Sequence, residues 1–381
     1  MKFQVDRDSL AEAVAWTAKS LPSRPTVAVL AGIMMEVHND RLTIAGFDYE
    51  VSNQVSIDVQ AESSGQVLVS GRLLAEITRA LPNQPVHVSA ASAHAEITCG
   101  SARFTLPTLP VEDYPALPEM PTVAGAVDAE PFAAAVRQVA VAAGRDDTLP
   151  MLTGVHIEVN GSQLSLLATD RYRLAIRELS WRPGSVEEHR YALVPARTLA
   201  DTAKTLAGGT EVAIALSETT SETVGGLIGF SGSSRRTTTR LLDGEYPKVR
   251  SLLPDTYNAQ ARLVTAEAIE VVKRVALVAE RNAPVRLNFS TNMLTIEAGG
   301  SDEARASESL PAYYEAEDLS IAFNPDYLLD GLGAIESATA MMSFTNPARP
   351  AVLAAALGDD EAGWSEDTSY RYVLMPVRIS A

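Results

Sequence analysis

Residues that could perform chemistry are few and scattered in this sequence. None of the five histidines belongs to an HxH, an HExxH or a Cys/His pair with zinc-ligand spacing. Neither a P-loop nor a G-x-S-x-G nucleophile elbow is present. Two acidic clusters, Asp146-Asp147 and Asp359-Asp360-Glu361, are better interpreted as solvated loops, because a metal site needs further carboxylates to converge. The sequence therefore predicts no catalytic residue, no metal site and no cofactor.

Three other features indicate binding. An arginine occupies each of three similar turns, at Arg24, Arg145 and Arg281, although ordinary solvated arginines would explain them equally well. The segment ATDRYRLA (168–175) places two arginines and a tyrosine beside a leucine. The terminal segment YVLMPVRI (372–379) is apolar, whereas chain ends are usually polar. We expect it to form an edge strand whose apolar surface would accept a peptide.

The elements that must position these residues recur three times in the same order. An Ala-rich stretch with helical spacing of its apolar residues predicts helices at Asp8–Ser20, Pro131–Gly144 and Ala266–Glu280. The arginine turn follows, and then two alternating segments around a short polar turn, which is typical of a β-hairpin. A further strand leads into second helices predicted at 71–81, 196–206 and 325–336. The chain is therefore predicted to be a triplicated α+β domain.

Two proline-rich stretches, Leu106–Gly125 and Leu242–Asn258, have the extended character of linkers and share an acidic residue shortly before Tyr-Pro. They predict domains at 1–120, 121–255 and 256–381. Each domain, with two helices and antiparallel sheets, could place its sheets outside and its helices inside. Two chains joined head to tail would then close six domains into a ring.

Composition sets limits on function and location. The 381 residues are 46% hydrophobic and 21% charged, as in globular proteins, and their net charge of −17 argues against an ordinary DNA-binding protein. The only cysteine is Cys99, expected in a strand at 94–99 as a small buried hydrophobe. Asp6 and Asp8 occupy the region where a signal peptide needs apolar residues, and no stretch is long enough to span a membrane. We expect a cytoplasmic protein.

Four ordered segments resemble the β subunit of bacterial DNA polymerase III, the family of sliding clamps. They are ATDRYRLA at 168–175, DGEYPKVRSLLP at 243–254, FNPDYLLD at 323–330 and YVLMPVR at 372–378. The resemblance covers essentially the whole chain. It implies a homodimeric ring of six domains that encircles duplex DNA without sequence preference, and a non-catalytic processivity factor for DNA replication. It also implies partners with short Gln-Leu-x-Leu-Phe motifs, among them the DNA polymerase III α subunit and the clamp loader.

By position, the resemblance implies a hydrophobic peptide-binding cleft between the second and third domains. Its residues would be Leu152, Thr169, Arg171, Tyr172, Arg173, Leu174, Pro247, Leu252, Asn324, Tyr327, Val373, Met375, Pro376 and Val377. The family often has Gly-His in place of Arg171-Tyr172 and an arginine in place of Ser251, so the peptide preference is expected to differ. The resemblance also implies a dimer interface in which Phe104 and Leu106 of one chain meet Ala276 and Leu277 of the other.

The six predicted inner helices have a net charge of +1, against −17 for the whole chain, although the last helix alone carries −3. A ring that slides needs only weak, sequence-blind phosphate contacts. The candidate DNA-facing residues are Arg24, Arg72, Arg79, Arg137, Arg145, Arg197, Lys204, Lys273 and Arg274. Two alternatives stay open at this point. One is an enzyme with an acidic, metal-dependent site between repeats, and the other is a peptide-binding hub with no DNA inside it.

Overall fold

The computed structural model describes residues 1–91, 93–184, 190–217, 226–280, 283–299, 304–359 and 363–378. Arg281, of the third arginine turn, and Asp360 and Glu361, of the second acidic cluster, lie outside the described residues. Of the helices within these ranges, none combines the length and the apolar character that a membrane crossing requires.

The helices are α1 Arg7–Thr17, α2 Gly71–Ala80, α3 Ala129–Ala140, α4 Ala196–Leu206, α5 Thr265–Ala276 and α6 Pro325–Gly333. The strands of the first repeat are β1 Lys2–Val5, β2 Gly32–His38, β3 Arg41–Phe47, β4 Val51–Asp58, β5 Gln60–Ser63, β6 Gly65–Ser70, β7 Val86–Ala90, β8 His94–Cys99 and β9 Ala102–Leu109. Those of the central repeat are β10 Val123–Asp128, β11 Gly154–Asn160, β12 Gln163–Thr169, β13 Arg173–Ser180, β14 Arg182–Pro183, β15 Arg190–Pro195, β16 Glu211–Leu216, β17 Leu227–Gly232 and β18 Arg235–Arg240. Those of the third repeat are β19 Ala259–Val264, β20 Val285–Ser290, β21 Met293–Ala298, β22 Ala306–Pro311, β23 Leu319–Phe323, β24 Thr339–Phe344, β25 Ala351–Asp359, β26 Gly363–Glu366 and β27 Tyr370–Leu374.

The predicted helices are all found, and the bounds of α4 are confirmed. The predicted C-terminal ends were too long for α1, α3, α5 and α6. After α3, α5 and α6, backbone N–H groups bond to carbonyls three residues back, as from Leu277 to Arg274 (3.2 Å). Such bonds tighten the chain into 3₁₀-type turns while the apolar pattern continues, so the pattern alone overestimates the helix. For α1 the same transition is a 3₁₀ turn at Ala18–Ser20.

The hairpin predictions are confirmed in each repeat. β2 and β3 are joined by Asn39 and Asp40, both with positive φ (46° and 56°), as a type I′ turn requires. β11 and β12 turn at Gly161 (φ 56°), and β20 and β21 at Asn292 (φ 59°). The polar residues between the alternating segments therefore have the left-handed conformations that reverse a strand.

The chain forms two compact units, and the first consists of Met1–Glu130, Arg182–Ser185 and Lys204–Leu241. Its sheet follows the order β14-β10-β16-β17-β18-β4-β3-β2-β6-β9-β8-β7-β1-β5. Antiparallel pairing of β18 with β4 joins strands of the central and first repeats. Leu10 and Trp16 of α1 and Leu74 of α2 pack into the core beneath the first-repeat strands. Cys99 is fully buried there, as predicted.

The second unit consists of Pro131–Trp181, Val186–Ala203 and Leu242–Ala381. A nine-stranded sheet follows the order β15-β11-β12-β13-β27-β25-β24-β19, with β26 paired to β25, and a second sheet follows β22-β21-β20-β23. The sequence predicted that the terminal strand β27 would be an edge strand, and this prediction is wrong. It lies between β13 and β25 because the otherwise open side of β13 accepts it antiparallel.

The first proline-rich stretch, Leu106–Gly125, is only partly linker. Leu106–Leu109 belongs to β9, and residues 123–125 belong to β10. Prolines are tolerated where a strand has no partner on the side of the missing N–H. A high proline content therefore does not exclude a strand, and these strand ends were predicted as linker. The proposed boundaries after residues 120 and 255 stay a prediction.

Candidate functional site

The loop between β12 and β13 is held by its own polar side chains. Asp170 Oδ1 accepts hydrogen bonds from the N–H groups of Tyr172 (3.0 Å) and Arg173 (3.1 Å). Thr169 Oγ1 accepts one from the N–H of Arg171 (3.2 Å) and donates to the carbonyl of Arg173 (2.6 Å). Arg171 is forced to φ 81°, a left-handed conformation that glycine adopts more easily. The loop thus presents exposed Arg171 and Tyr172 side chains from a fixed backbone.

Arg173 turns the other way and is only 4% exposed. Its Nε donates to Asp170 Oδ2 (2.9 Å), and its Nη1 donates to Asp330 Oδ2 on α6 (2.6 Å) and to the Tyr372 hydroxyl (3.3 Å). Burial raises the pKa of Tyr372, so its hydroxyl stays neutral. The buried guanidinium is therefore compensated by two carboxylates, one from each of two repeats.

Tyr327 lies on the same buried guanidinium. The Arg173 guanidinium carbon is 4.3 Å from the centre of the Tyr327 ring, a cation–π geometry. Asn324 caps α6 by accepting from the Tyr327 N–H (3.1 Å), and the Tyr372 hydroxyl donates to the Tyr327 carbonyl (2.8 Å). The outer side of the ring is stacked with Tyr172, at 6.2 Å between centres. Tyr327 is thus fixed from three sides.

These groups line a cleft of about 640 Å³ within the second unit. Of the proposed cleft residues, the structure brings together here Leu152, Arg171, Tyr172, Arg173 and Tyr327. Further lining residues include Leu149, Asp170 and Asp330, which were not singled out from the sequence. The Asp-x-x-Arg spacing of Asp170 and Arg173 is the only local signal that could have revealed one of them. Asp146, expected in a solvated loop, and Arg145, proposed to face DNA, also line this cleft.

A second group of proposed residues lies on one face of the nine-stranded sheet, here called the outer face. Leu174 and Val373 are opposed across β13 and β27, and both are buried in an apolar cluster with Leu167, Ile176 and Val249. Thr169, opposed to Leu174, is 4% exposed. These residues form a packed floor, whereas the open cleft lies beside the loop.

Proposed residues Pro247 and Leu252 belong to a segment at 246–253, here called the strap, which crosses this outer face. Tyr246 stacks on His156 of β11, with ring centres 4.7 Å apart and planes 2° apart. Val249 and Leu253 pack on the apolar cluster, so Leu252, on the other side of the 3₁₀ turn Val249–Leu252, is 37% exposed.

The chain after β27 runs back along the site. The N–H of Met375 donates to the Tyr172 carbonyl (2.9 Å), and the N–H of Val377 donates to the Ala322 carbonyl (2.8 Å). Pro376, which has no N–H, stands between them. The C-terminal segment is thus bonded both to the loop and to β23.

All nine proposed DNA-facing residues are exposed. Three are paired with carboxylates: Arg137 with Glu336, Lys273 with Glu270 (2.9 Å), and Arg274 with Glu308 (2.6 Å). Within the described ranges, no ion pair is found for the other six, which are Arg24, Arg72, Arg79, Arg145, Arg197 and Lys204.

The charge of −3 on the last predicted helix now has an explanation. Asp330 pairs with the buried Arg173, and Glu336 pairs with Arg137 of α3. Two of the three carboxylates are therefore neutralised by the central repeat, and Asp326 is the third.

The proposed dimer residues differ in exposure. Leu106 is 1% exposed and belongs to the core of the first unit, and Phe104 packs partly against that core. Leu277 follows α5 and is 84% exposed. In the described part of the sheet, β9 pairs with β6 only at Thr108 and Leu109, and β22 is an edge strand. Open edges of this kind can be extended by another chain.

Family models cover nearly the whole chain. The N-terminal, central and C-terminal domains of the DNA polymerase III beta subunit match residues 1–118, 126–248 and 250–378. In the described part of the chain, no three His, Cys, Asp or Glu side chains are grouped as a metal ion would need.

Curated relatives and solved structures agree with these matches. The chain is 55% identical to the beta sliding clamp of Streptomyces coelicolor over 380 residues (100% of both chains), and 43% identical to the beta sliding clamp homolog GriR of Streptomyces muensis over 378 residues (99% of both). It superposes over 100% of both chains on a Pseudomonas aeruginosa sliding clamp bound to griselimycin (TM-score 0.91, 26% identity) and on the Bacillus subtilis DNA polymerase sliding clamp (TM-score 0.90, 28% identity). The chain therefore belongs to the DNA polymerase III beta subunit family, the bacterial beta sliding clamps.

Proposed function

We propose that the protein is a DNA sliding clamp, a homodimeric ring of six domains that encircles duplex DNA and confers processivity on the replicative polymerase. The observation that carries this proposal is the match of all three clamp domain models, in order, along one chain. Members of this family are not enzymes, and the ring needs no cofactor. Its place of action is the cytoplasm, where bacterial DNA is replicated.

The partner site is the cleft beside the β12–β13 loop together with its apolar floor. The cleft combines Leu149, Leu152 and the rings of Tyr172 and Tyr327 with several charged side chains, and the C-terminal segment is bonded to the loop beside it. Such a mixed lining suits a short linear motif. The partners would be the DNA polymerase III α subunit, the clamp loader and other proteins with such motifs.

Dimer formation would bury the exposed Leu277 and the partly exposed Ala276 of one chain against Phe104 and the edge of β9 in the other. A leucine that is 84% exposed is costly in water, and its burial would stabilise each interface by about 1.5–3 kcal/mol. DNA would be held by topology. The six basic residues for which the described part of the chain offers no ion pair would supply weak phosphate contacts.

The ring is tested on nicked circular DNA, on which the clamp loader and ATP place the labelled protein. Gel filtration separates the DNA-bound from the free clamp. The clamp should stay on the circle and leave when a restriction enzyme cuts it. Retention after linearisation would contradict encirclement, and failure to associate with DNA under any loading condition would favour the peptide-binding hub.

The partner site is tested by fluorescence anisotropy of a labelled Gln-Leu-Ser-Leu-Phe peptide. The full chain should bind it, and the chain truncated after Leu374 should not, because truncation removes Met375 and Val377 with their bonds to the loop and to β23. A peptide that binds both chains equally would exclude the C-terminal segment from the site.

A further inference from the structure

The outer face of the nine-stranded sheet is organised in rows of opposed residues beneath the strap. One row consists of Glu158 on β11, Ser165 on β12 and Glu178 on β13. Opposed residues of antiparallel strands point to the same side of the sheet. Two carboxylates therefore stand on either side of a small serine, which leaves room above itself for a larger group.

Arg250 of the strap occupies that room. Its Nε and Nη2 donate to Glu158 Oε2 (3.1 and 2.7 Å), and its Nη1 donates to Glu178 Oε1 (3.1 Å). The remaining carboxylate oxygens are also engaged, Glu158 Oε1 by His156 (3.5 Å) and Glu178 Oε2 by Gln163 (2.8 Å). The guanidinium thus fastens the strap to two separate strands in a planar, two-pronged geometry that lysine cannot reproduce.

Hydrogen bonds within the strap hold its other residues in place relative to Arg250. Within the strap, the Val249 N–H donates to the Pro247 carbonyl (2.8 Å), and the Leu253 N–H donates to the Arg250 carbonyl (3.2 Å). The Ser251 hydroxyl donates to the Lys248 carbonyl (3.1 Å). Pro247 and Leu252 therefore keep a constant position relative to Arg250.

Arg250 itself lies away from the proposed peptide site. Thr169 and Leu174, in the floor, are four residues along β12 and β13 from Ser165 and Glu178, which corresponds to about 14 Å. A pentapeptide on that floor would meet Pro247 and Leu252 before it reached the guanidinium. Any effect of Arg250 on peptide binding is then exerted through the strap.

We propose that Arg250 is a positioning residue for peptide recognition, which holds the Pro247–Leu252 wall at the distance from the floor that a bound motif requires. This inference rests on the proposed peptide cleft. Glu158 and Glu178 are its partners in this role, and His156 and Gln163 orient their carboxylates.

The test is anisotropy of the labelled Gln-Leu-Ser-Leu-Phe peptide with the full chain and its variants. Arg250→Ala should weaken binding about 3- to 10-fold, the loss that follows when two partly exposed ion pairs no longer restrict a binding wall. Arg250→Lys should fall between, because it keeps the charge and loses the fork. As a single substitution, Glu158→Gln should weaken peptide binding. In the Arg250→Ala background it should have little further effect on peptide affinity, as expected for one coupled pair.

Arg182→Ala is the matched control, because Arg182 also bridges two carboxylates, Asp128 (2.8 Å) and Glu211 (3.1 Å), but in the first unit. It should leave peptide affinity unchanged. If the unaltered chain binds and Arg250→Ala binds equally well, the role of Arg250 is wrong and the cleft stands. If the unaltered chain does not bind, the cleft does not take the Gln-Leu-Ser-Leu-Phe motif, and the role of Arg250 in holding a wall for that motif falls with it. Thermal melting of each variant shows whether it is folded.

Discussion

Arg173 on β13 and Asp330 on α6 form an ion pair of 2.6 Å across 157 residues of sequence. The pair joins the central repeat to the third repeat inside the second unit, next to β13–β27 pairing. It also fixes Tyr327, since the same guanidinium lies 4.3 Å from that ring. One buried cation therefore serves both the packing of two repeats and the wall of the cleft.

Asp330→Asn should lower the free energy of unfolding by about 1–3 kcal/mol, because Arg173 is then a buried cation with only Asp170 to compensate it. Urea denaturation measures the loss. Asp255→Asn, which removes an exposed carboxylate with no ion pair among the described residues, is the control and should change little. Equal stability of Asp330→Asn and the unaltered chain would mean that Asp170 alone suffices.

Arg171 allows backbone strain to be separated from recognition. At φ 81° a Cβ is unfavourable, so Arg171→Gly should be more stable than Arg171→Ala by about 1 kcal/mol. Both variants remove the same side chain from the cleft rim and should change peptide affinity equally. Thermal melting and peptide anisotropy are measured in parallel. Alanine equal to glycine in stability would show that the loop relaxes and carries no strain.

Glu158, which Arg250 of the strap contacts, makes the free energy of unfolding depend on pH in the acid range. Hydrogen bonding to His156 and then to Arg250 lowers the pKa of Glu158 from 4.5 to about 2, although partial burial opposes it. A pKa depressed in the folded state gives stability that is complete above about pH 4.5 and is lost as the pH falls towards 2.

The stability advantage of the unaltered chain over Glu158→Gln should therefore be present at pH 6 and shrink steadily below pH 4.5. Urea denaturation over a pH series measures it. Glu119→Gln, which removes an exposed carboxylate without an ion pair in the described ranges, controls for net charge. An advantage that stays constant down to pH 2.5 would contradict the depressed pKa.

Leu277 should govern the dimer. Leu277→Ser removes about 1.5–3 kcal/mol from each of two equivalent interfaces, so the dissociation constant should rise roughly 100-fold or more. Sedimentation velocity over a concentration series measures it. Leu357→Ser, at a leucine that is 48% exposed, is the control and should leave the dimer intact. A dimer that survives Leu277→Ser unchanged would show that the interface lies elsewhere.

The sequence by itself determined the features that depend on neighbouring residues. Helical spacing, alternation and left-handed turn residues such as Asn39 and Asp40 are local signals, and they predicted the triplicated α+β domain and its hairpins. The resemblance then indicated which residues belong to the site, including the Tyr327 that Asn324 holds in place.

Only the tertiary structure decided how distant segments pair. The apolar strand β27 has the same sequence pattern whether it lies at an edge or between β13 and β25, because alternation reports burial and not the partner. An acidic last helix looks unfavourable until Arg173 and Arg137 are found beside Asp330 and Glu336. Likewise, no residue near Arg250 in the sequence indicates that it pairs with Glu158 and Glu178. The space above Ser165 that the guanidinium occupies exists only when β11, β12 and β13 are aligned. Such contacts depend on register and packing, which are properties of the folded chain.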